Sequence, residues 1–538
     1  MAAREPAASF DVLVERAAAH RPDALAVVDA DTRWTWAQLH RTVARLAAAL
    51  GGSGMLPGDR IAIQAPSSAR FVAVYLAALQ AGLVVVPINP AYPLPELEYI
   101  LSDSGARLLV ADSVAVIEAA ADLCERHPAL ERVVLAARSG SDELQTVDQL
   151  IADDGEADDG EAGDAEPAPV AELQAETADR LAVLLYTSGT SGRPKGAMLP
   201  VRALLSNLEQ LAQLSPPVSA ADRIFLPLPL FHIFGLNAGL GMALYFGATV
   251  VLTSRFDAAE TLATIRDEGV TVVVGAPLEF ARWAEQPGVA EAFRAVRFAL
   301  SGSAPLPAEL VTGYAELGVR LFEGYGLTEA APVVTVNLVA TETGWAEPKP
   351  GSIGRPLPGV QVRLLDGDGE QVEAGDLGQL EVRGANLFTG YWPDGAGGPD
   401  EQGWFGTGDL AVADDDGDYY LVGRRADLVL VNGFNVYPAE VEAVFGKLDG
   451  VREVAVVGTP GEHGSDVILA YVVAEPAAVL DPDALLSQAS RSLARFKLPQ
   501  RVIEVAELPH TATGKVQKWR LKAGADERAV EHPEASGP

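Results

Sequence analysis

From Ser9 to about Asp112, short aliphatic runs alternate with amphipathic helical stretches, and this alternation restricts the fold more than any other feature of the chain. Trp36 to Leu50 repeats its apolar residues with helical spacing, and Arg60 to Gln64 reads as a strand. A helix over Ser67 to Gln80 and a strand over Leu83 to Ile88 follow. Such alternation predicts layered α/β structure, with helices covering a sheet. It resumes with a strand at Leu181 to Leu185, a helix at Val201 to Leu214, and strands near Thr249, Val272 and Arg297. Beyond about Gly351 the texture changes to short strands punctuated by glycine, Val360 to Leu365 and Gly378 to Arg383, which read as an antiparallel or barrel-like unit. A further βα-type unit begins near Asp427. It comprises a helix Pro438 to Lys447, strands Val451 to Val457 and Val467 to Val473, a helix Pro482 to Leu493 and a polar tail.

A chain of 538 residues exceeds what one core organises, so more than one domain is expected. Its hydrophobic fraction of 49% is ample for large buried sheets. The most apolar segment, Phe71 to Ile88, is interrupted by Gln80, Gly82 and Pro87, and so reads as a buried helix and strand instead of a membrane span. Met1 to Pro6 lacks the features of a secretion signal, and the single Cys124 cannot form an internal disulfide; both fit a cytoplasmic protein. Cys124 has no strongly electropositive surroundings and is expected to pack in a helix. The stretch 153–169 is acidic and rich in Gly and Ala, and reads as a solvated loop. A net charge of −34 argues against nucleic-acid binding and repels anionic lipid. Any polyanionic ligand must therefore meet cations concentrated locally.

Such cations occur at Tyr186 to Gly196 (YTSGTSGRPKG), directly after the apolar run Leu181 to Leu185. Gly189, Gly192 and Gly196 free the backbone to approach an anion. Hydroxyls and the cations Arg193 and Lys195 supply further donors. This is not the common nucleotide loop, because Pro194 precedes Lys195 and Gly196 follows it. Four more runs follow in order: Tyr325 to Glu329 (YGLTE), Thr407 to Asp409 (TGD), Gly423 to Asp427 (GRRAD) and Thr513 to Lys515 (TGK).

Together these five runs resemble the ordered motifs of the adenylate-forming, AMP-binding superfamily, which includes acyl-CoA synthetases. The resemblance spans essentially the whole chain. It implies a large N-terminal domain (1–423) of layered α/β subdomains with a β-barrel-like subdomain, a hinge at 424–427, and a small mobile α+β C-terminal domain (428–538) carrying a catalytic lysine. It implies ATP, Mg²⁺ and coenzyme A as cofactors, with two half-reactions: a carboxylate attacks the α-phosphate of ATP to release pyrophosphate, and a thiol then displaces AMP. A carboxylate is already ionised at neutral pH, so the first step needs cations and oriented donors, not a general base. By resemblance Thr187, Ser188, Gly189, Thr190, Ser191, Gly192 and Lys195 wrap the β- and γ-phosphates. Thr328 contacts the α-phosphate, and Glu329 holds Mg²⁺ with Thr187. Tyr325 and Gly326 lie on one side of the adenine, with Ser303, Ala304 and Pro305 on the other. Asp409 accepts from the ribose hydroxyls, Arg424 lies near it, and Lys515 bridges the acid and the α-phosphate. Gly433, in the run Asn432 to Pro438, leaves room for pantetheine. The family's hinge carries Lys or Asp two residues after Arg424, where this chain has Ala426.

The acid remains open. Leu228 to Gly235 (LPLFHIFG) resembles the acyl-pocket motif of acyl and aryl CoA ligases, with His232 shaping the acid-binding end. The runs Glu323 to Val334 and Asn432 to Pro438 most resemble those of medium- and long-chain fatty acid ligases, and by that resemblance Gly324 would keep a tunnel open for an alkyl chain. Arg282 offers a cation to a second carboxylate, as in malonate-type ligases, unless Glu279 neutralises it at helical spacing. An aryl acid, an acyl-AMP ligase loading a carrier protein, and a catalytically silent binding protein are the alternatives. Peripheral membrane contact and the oligomeric state are likewise open.

Overall fold

The computed structural model describes residues 9–136, 144–153, 178–188, 194–214, 218–338, 340–341, 344–431, 434–460, 466–476, 478–511, 514–518 and 520–522. The acidic stretch lies almost wholly outside them. The helix predicted around Trp36 runs Trp36–Gly52 and opens with a reciprocal cap: Thr35 Oγ1 accepts from Gln38 N while the Gln38 side chain accepts from Thr35 N. Its buried residues Trp36, Leu39, Val43, Leu46 and Leu50 fall at steps of three and four, so one stripe faces the core. Ala69–Gln80, capped by Ser68, is instead buried on nearly every side. Gly82, at φ +79°, turns the chain into strand Val84–Pro87, which explains why so apolar a segment needs no membrane. Among the described residues no helix is long and apolar enough to cross one.

The chain divides into two compact units, Met1–Gln361 with Val382–Phe405, and Val362–Glu381 with Gly406–Pro538. The larger holds two big sheets. One has six strands in the order Arg132–Leu135, Leu108–Ala111, Arg60–Gln64, Val84–Pro87, Leu181–Ser188, Pro194–Pro200. Its first four are mutually parallel and its last pair antiparallel. The other sheet has nine strands and a parallel centre built from Phe298–Ser301, Val272–Gly275, Arg223–Leu226 and Thr249–Leu252. Arg320–Gly326 adds parallel to Phe298–Ser301, and Val333–Val336 then returns antiparallel. On one face Phe280, Trp283, Phe293 and Tyr314 pack edge to face.

The smaller unit takes most of a four-stranded sheet made from the glycine-punctuated strands, Gln361–Leu365, Leu377–Arg383, Phe405–Ala413 and Tyr419–Arg424. It also has a three-stranded sheet of Val451–Pro460, Asp466–Ala474 and Arg501–Glu504 with helices Pro438–Phe445 and Pro482–Ala489. Val436, Val441, Phe445, Val456 and Val472 form its apolar centre. Cys124 sits half-buried in helix Ala120–Arg126, where burial pushes its thiol pKa up, as expected of a packing residue.

Candidate active site

The strand expected at Leu181 to Leu185 continues to Ser188 and turns back as Pro194–Pro200, with Thr187 opposite Lys195. Gly196 permits this close pairing: a Cβ there would lie 2.7 Å from Leu184 Cδ1. Of the expected phosphate cradle, Gly189, Thr190, Ser191 and Gly192 lie outside the described residues, as do the side chain of Ser188 and all of Gly433. At the hairpin's base the exposed Lys195 places its Nζ 5.4 Å from the Tyr391 ring centroid.

Tyr391 was not foreseen. It belongs to a segment that joins the hairpin edge, with Met198 N donating to Gly390 O at 3.0 Å and Trp392 N to Gly196 O at 2.8 Å. Its hydroxyl donates to Glu329 Oε1 at 2.6 Å. The structure therefore brings Lys195 and Glu329, 134 positions apart in the numbering, to one tyrosine.

Glu329 stands in a 3-10 turn, Thr328–Ala330, whose exit residue Ala331 has φ +59°. Just before it, strand Arg320–Gly326 is irregular between Tyr325 and Gly326, and a Cβ on Gly326 would fall 2.0 Å from Pro332 O. Only glycine allows the chain to fold back so tightly. The turn is gripped by four buried carboxamides. Asn207 Nδ2 donates to Val333 O (2.8 Å) and Asn207 Oδ1 accepts from Val333 N (3.1 Å). Asn237 Nδ2 reaches Ala331 O at 2.7 Å, and Asn386 Nδ2 reaches Ala330 O at 2.8 Å. Gln210 donates to Asn386 Oδ1 at 3.4 Å. Asn237 is carried on a π-helix, Phe234–Gly241, that grows directly from the His232 segment. Such helices are rare and recur at functional sites.

The strip Ser303 to Pro305, expected to face the adenine, is strained in the way functional loops often are: Ser303 adopts φ +72° without being glycine. Gly302 N donates to Gly275 O (3.2 Å), and Leu306 N donates to Glu323 Oε1 (3.2 Å), which pins both ends of the strip. Ser303 and Ala304 are half-buried and Pro305 is exposed. Burial raises the pKa of Glu323 to about 7, against the hydrogen bond from Leu306. All these loops leave the carboxyl ends of parallel strands, where α/β sheets bind ligands.

His232 is half-buried and accepts from Phe234 N at Nδ1, 3.3 Å. A Cβ on Gly324 would meet Thr335 O at 3.5 Å, Leu300 Cδ1 at 3.6 Å and Ser301 O at 3.9 Å, all ordinary contact distances. Leu300 also lines an apolar cavity with Phe298, Phe322, Val336, Met242 and Phe246. Arg282 corrects an expectation. Glu279 does not neutralise it: Glu279 is buried, caps helix Pro277–Ala284 by accepting from Ala276 N, and has its pKa raised to about 7 by burial. The Arg282 side chain, 53% exposed, turns outward to Glu285 at 4.0 Å.

In the smaller unit Asp409 is buried and accepts from Arg424 Nε at 3.0 Å, its partner on the adjacent strand. Gly408, at φ +77°, and Thr407, whose Oγ1 accepts from Asp409 N (3.1 Å), shape the bend that presents it. Lys515 lies in a tight loop closed by Thr511 N to Lys515 O (2.8 Å) and Lys515 N to Thr511 Oγ1 (3.1 Å), with Gly514 at φ +79°. Although the residue keeps a solvent-facing side, desolvation by the protein around its ammonium, then the charge of Arg424, holds its pKa below the ordinary lysine value; Asp409 and Asp427 oppose this. Three expected residues of this unit thus share one electrostatic neighbourhood.

Family models extend this geometry to known proteins. The model described as AMP-binding enzyme matches residues 14–392, and the AMP-binding enzyme C-terminal domain matches residues 440–515. The chain belongs to the AMP-binding enzymes. Among relatives of this AMP-binding enzyme, a feruloyl-CoA synthase of an Amycolatopsis species is 36% identical over 94% of this chain and 97% of its own. A long-chain-fatty-acid–CoA ligase of Bacillus subtilis is 29% identical over 96% and 94%. ATP-bound MatB from Rhodopseudomonas palustris superposes with a TM-score of 0.85 at 31% identity, covering 97% of this chain and 99% of that one.

Proposed function

We propose that this AMP-forming acyl-CoA ligase, which draws on ATP, Mg²⁺ and CoA, activates a monocarboxylic acid with an apolar body, a medium- or long-chain fatty acid in the first instance. The supporting observation is the apolar lining of Phe298, Leu300, Phe322 and Val336, on the strand of Gly324 and those next to it in the sheet, which offers a second carboxylate nothing to bind. Each methylene buried there contributes roughly 0.8 kcal/mol. An aryl acid is the second reading, favoured by the phenylalanines of the lining and by the feruloyl-CoA synthase relative.

Lys195 and the hairpin hydroxyls take the pyrophosphate end of ATP, and Thr328 the α-phosphate. Tyr325 and Ser303 to Pro305 hold the adenine between them, and Asp409 with Arg424 takes the ribose. Glu329 and Thr187 offer oxygen donors that suit a hard divalent cation and would hold Mg²⁺, which would supply charge stabilisation to the phosphates. Lys515 supplies a mobile cation to the adenylation half-reaction only. The smaller domain then turns about 424–427, where Ala426 absorbs the backbone change, and Gly433 makes way for pantetheine. His232 stands at the carboxylate end of the acid.

A panel of acids from acetate to palmitate, with ferulate, indole-3-acetate and malonate, assayed by pyrophosphate release tests the assignment. The expected result is the highest kcat/KM with an apolar-bodied monocarboxylate; preference for malonate overturns it.

A further inference from the structure

Lys195 and Glu329 meet at a side chain that neither of their motifs contains. Tyr391 donates its hydroxyl hydrogen to Glu329 Oε1 at 2.6 Å, and its ring lies beneath the Lys195 ammonium, 5.4 Å from the centroid. The tyrosine is itself immobilised. Phe388 packs edge-on to its ring at 5.1 Å and 76°, Ala197 bridges to it across the hairpin edge, and Tyr391 N donates to Ala396 O at 3.0 Å. Gly397, at φ +71°, leaves space against the ring that a Cβ would enter to 3.2 Å. The same short segment also grips Glu329 through the backbone, since Phe388 N donates to Glu329 O at 2.8 Å. A hydrogen bond this short to an ionised carboxylate is of the strong, charge-assisted kind. It fixes one carboxylate oxygen and therefore the direction of the other.

We infer that Tyr391 is a positioning residue for the nucleotide–metal end of the site, in which its hydroxyl orients the Glu329 carboxylate and its ring face orients the Lys195 ammonium. The inference rests on the reading of Glu329 as the Mg²⁺ carboxylate. The two parts of the side chain act on different partners, so they separate experimentally. Partners that orient a metal-binding carboxylate typically matter by ten- to a hundredfold in metal affinity. A cation over an aromatic face at an exposed site matters less, about two- to fivefold.

The test is calorimetric binding of α,β-methylene-ATP, which cannot be turned over, titrated across Mg²⁺ concentrations with the full-length protein. Tyr391→Phe, which keeps the ring, raises the Mg²⁺ concentration for half-maximal nucleotide binding by about ten- to a hundredfold, with affinity at saturating Mg²⁺ nearly retained. Tyr391→Leu shows the same shift and also loses about two- to fivefold at saturating Mg²⁺. Glu329→Gln displaces the same midpoint. If Glu329→Gln displaces it and Tyr391→Phe leaves it at the wild-type value, the orienting role is wrong, whether or not the thermal midpoint has dropped. If Glu329→Gln itself leaves it unmoved, the metal reading of Glu329 fails and takes this inference with it.

Discussion

Lys515 owes its character to its neighbours. Desolvation and the Arg424 guanidinium lower its pKa, while Asp409 and Asp427 work the other way. The protonated form is the one that carries charge to an anionic reaction, so the alkaline limb of the adenylation rate should begin below the pH expected from an ordinary lysine, 10.5. Removing the side chain separates the half-reactions. Lys515→Ala is expected to lose acyl-adenylate formation by orders of magnitude while still forming thioester from supplied adenylate; equal loss of both would place the residue elsewhere in the cycle. This lysine was legible in sequence because Thr513, Gly514 and Lys515 stand together in an ordered family motif. Tyr391 was not. A tyrosine between Gly390 and Trp392 carries no chemical signal until the hairpin edge brings it to Glu329. Arg282 failed in the opposite direction, because helical spacing to Glu279 ignored the stronger demand of the helix N-terminus for Glu279 as its cap.

At the scale of elements, periodicity located most helices and strands. One segment it misread and one it left unassigned are those where tertiary contacts overrule local pattern. Tyr186 to Gly196 read as a loop, yet much of it is paired strand, since Gly196 lets the returning chain lie against Leu184. The π-helix Phe234–Gly241 has no sequence period of its own; it is set by Asn237 reaching both Leu204 O and Ala331 O. The carboxamides around 330–333 show why: a buried turn rich in backbone polar groups needs partners from outside itself. Two buried acids, Glu279 and Glu323, pin the loops on either side of Ser303 to Pro305, and burial raises both pKa values to about 7. Unfolded, each titrates near 4.5. Below that pH both states hold the proton. As pH rises towards 7 the unfolded state releases it first, so stability falls across this window and levels off above it. Urea denaturation from about pH 5 to about pH 8 should show that fall in the wild type and a flatter profile in Glu279→Gln and Glu323→Gln, which keep the acceptor without the charge. Parallel profiles for all three would mean that neither carboxyl retains its proton in the fold.

For the whole molecule, a net charge of −34 coexists with a site reading that requires ATP. The proposed reading meets this with local cations: Lys195 at the hairpin of the larger unit and, within the smaller unit, Arg424 beside Asp409 with Lys515 near them. Layered α/β architecture was legible from the alternation of helices with aliphatic strands, and the AMP-binding class from five motifs in order. The identity of the acid was not, because the apolar cavity proposed to take it is assembled by residues as distant as Met242, Leu300 and Val336, none of them a motif residue. An AMP-forming ligase of this kind couples an acid first to AMP and then to CoA. Acid-dependent exchange of labelled pyrophosphate into ATP, followed with and without CoA, is the deciding measurement. Exchange is expected in the absence of CoA and, once CoA is added, AMP and acyl-CoA in equal amounts. Absence of exchange with every acid of the panel, or ADP with phosphate as the nucleotide products, would contradict that expectation.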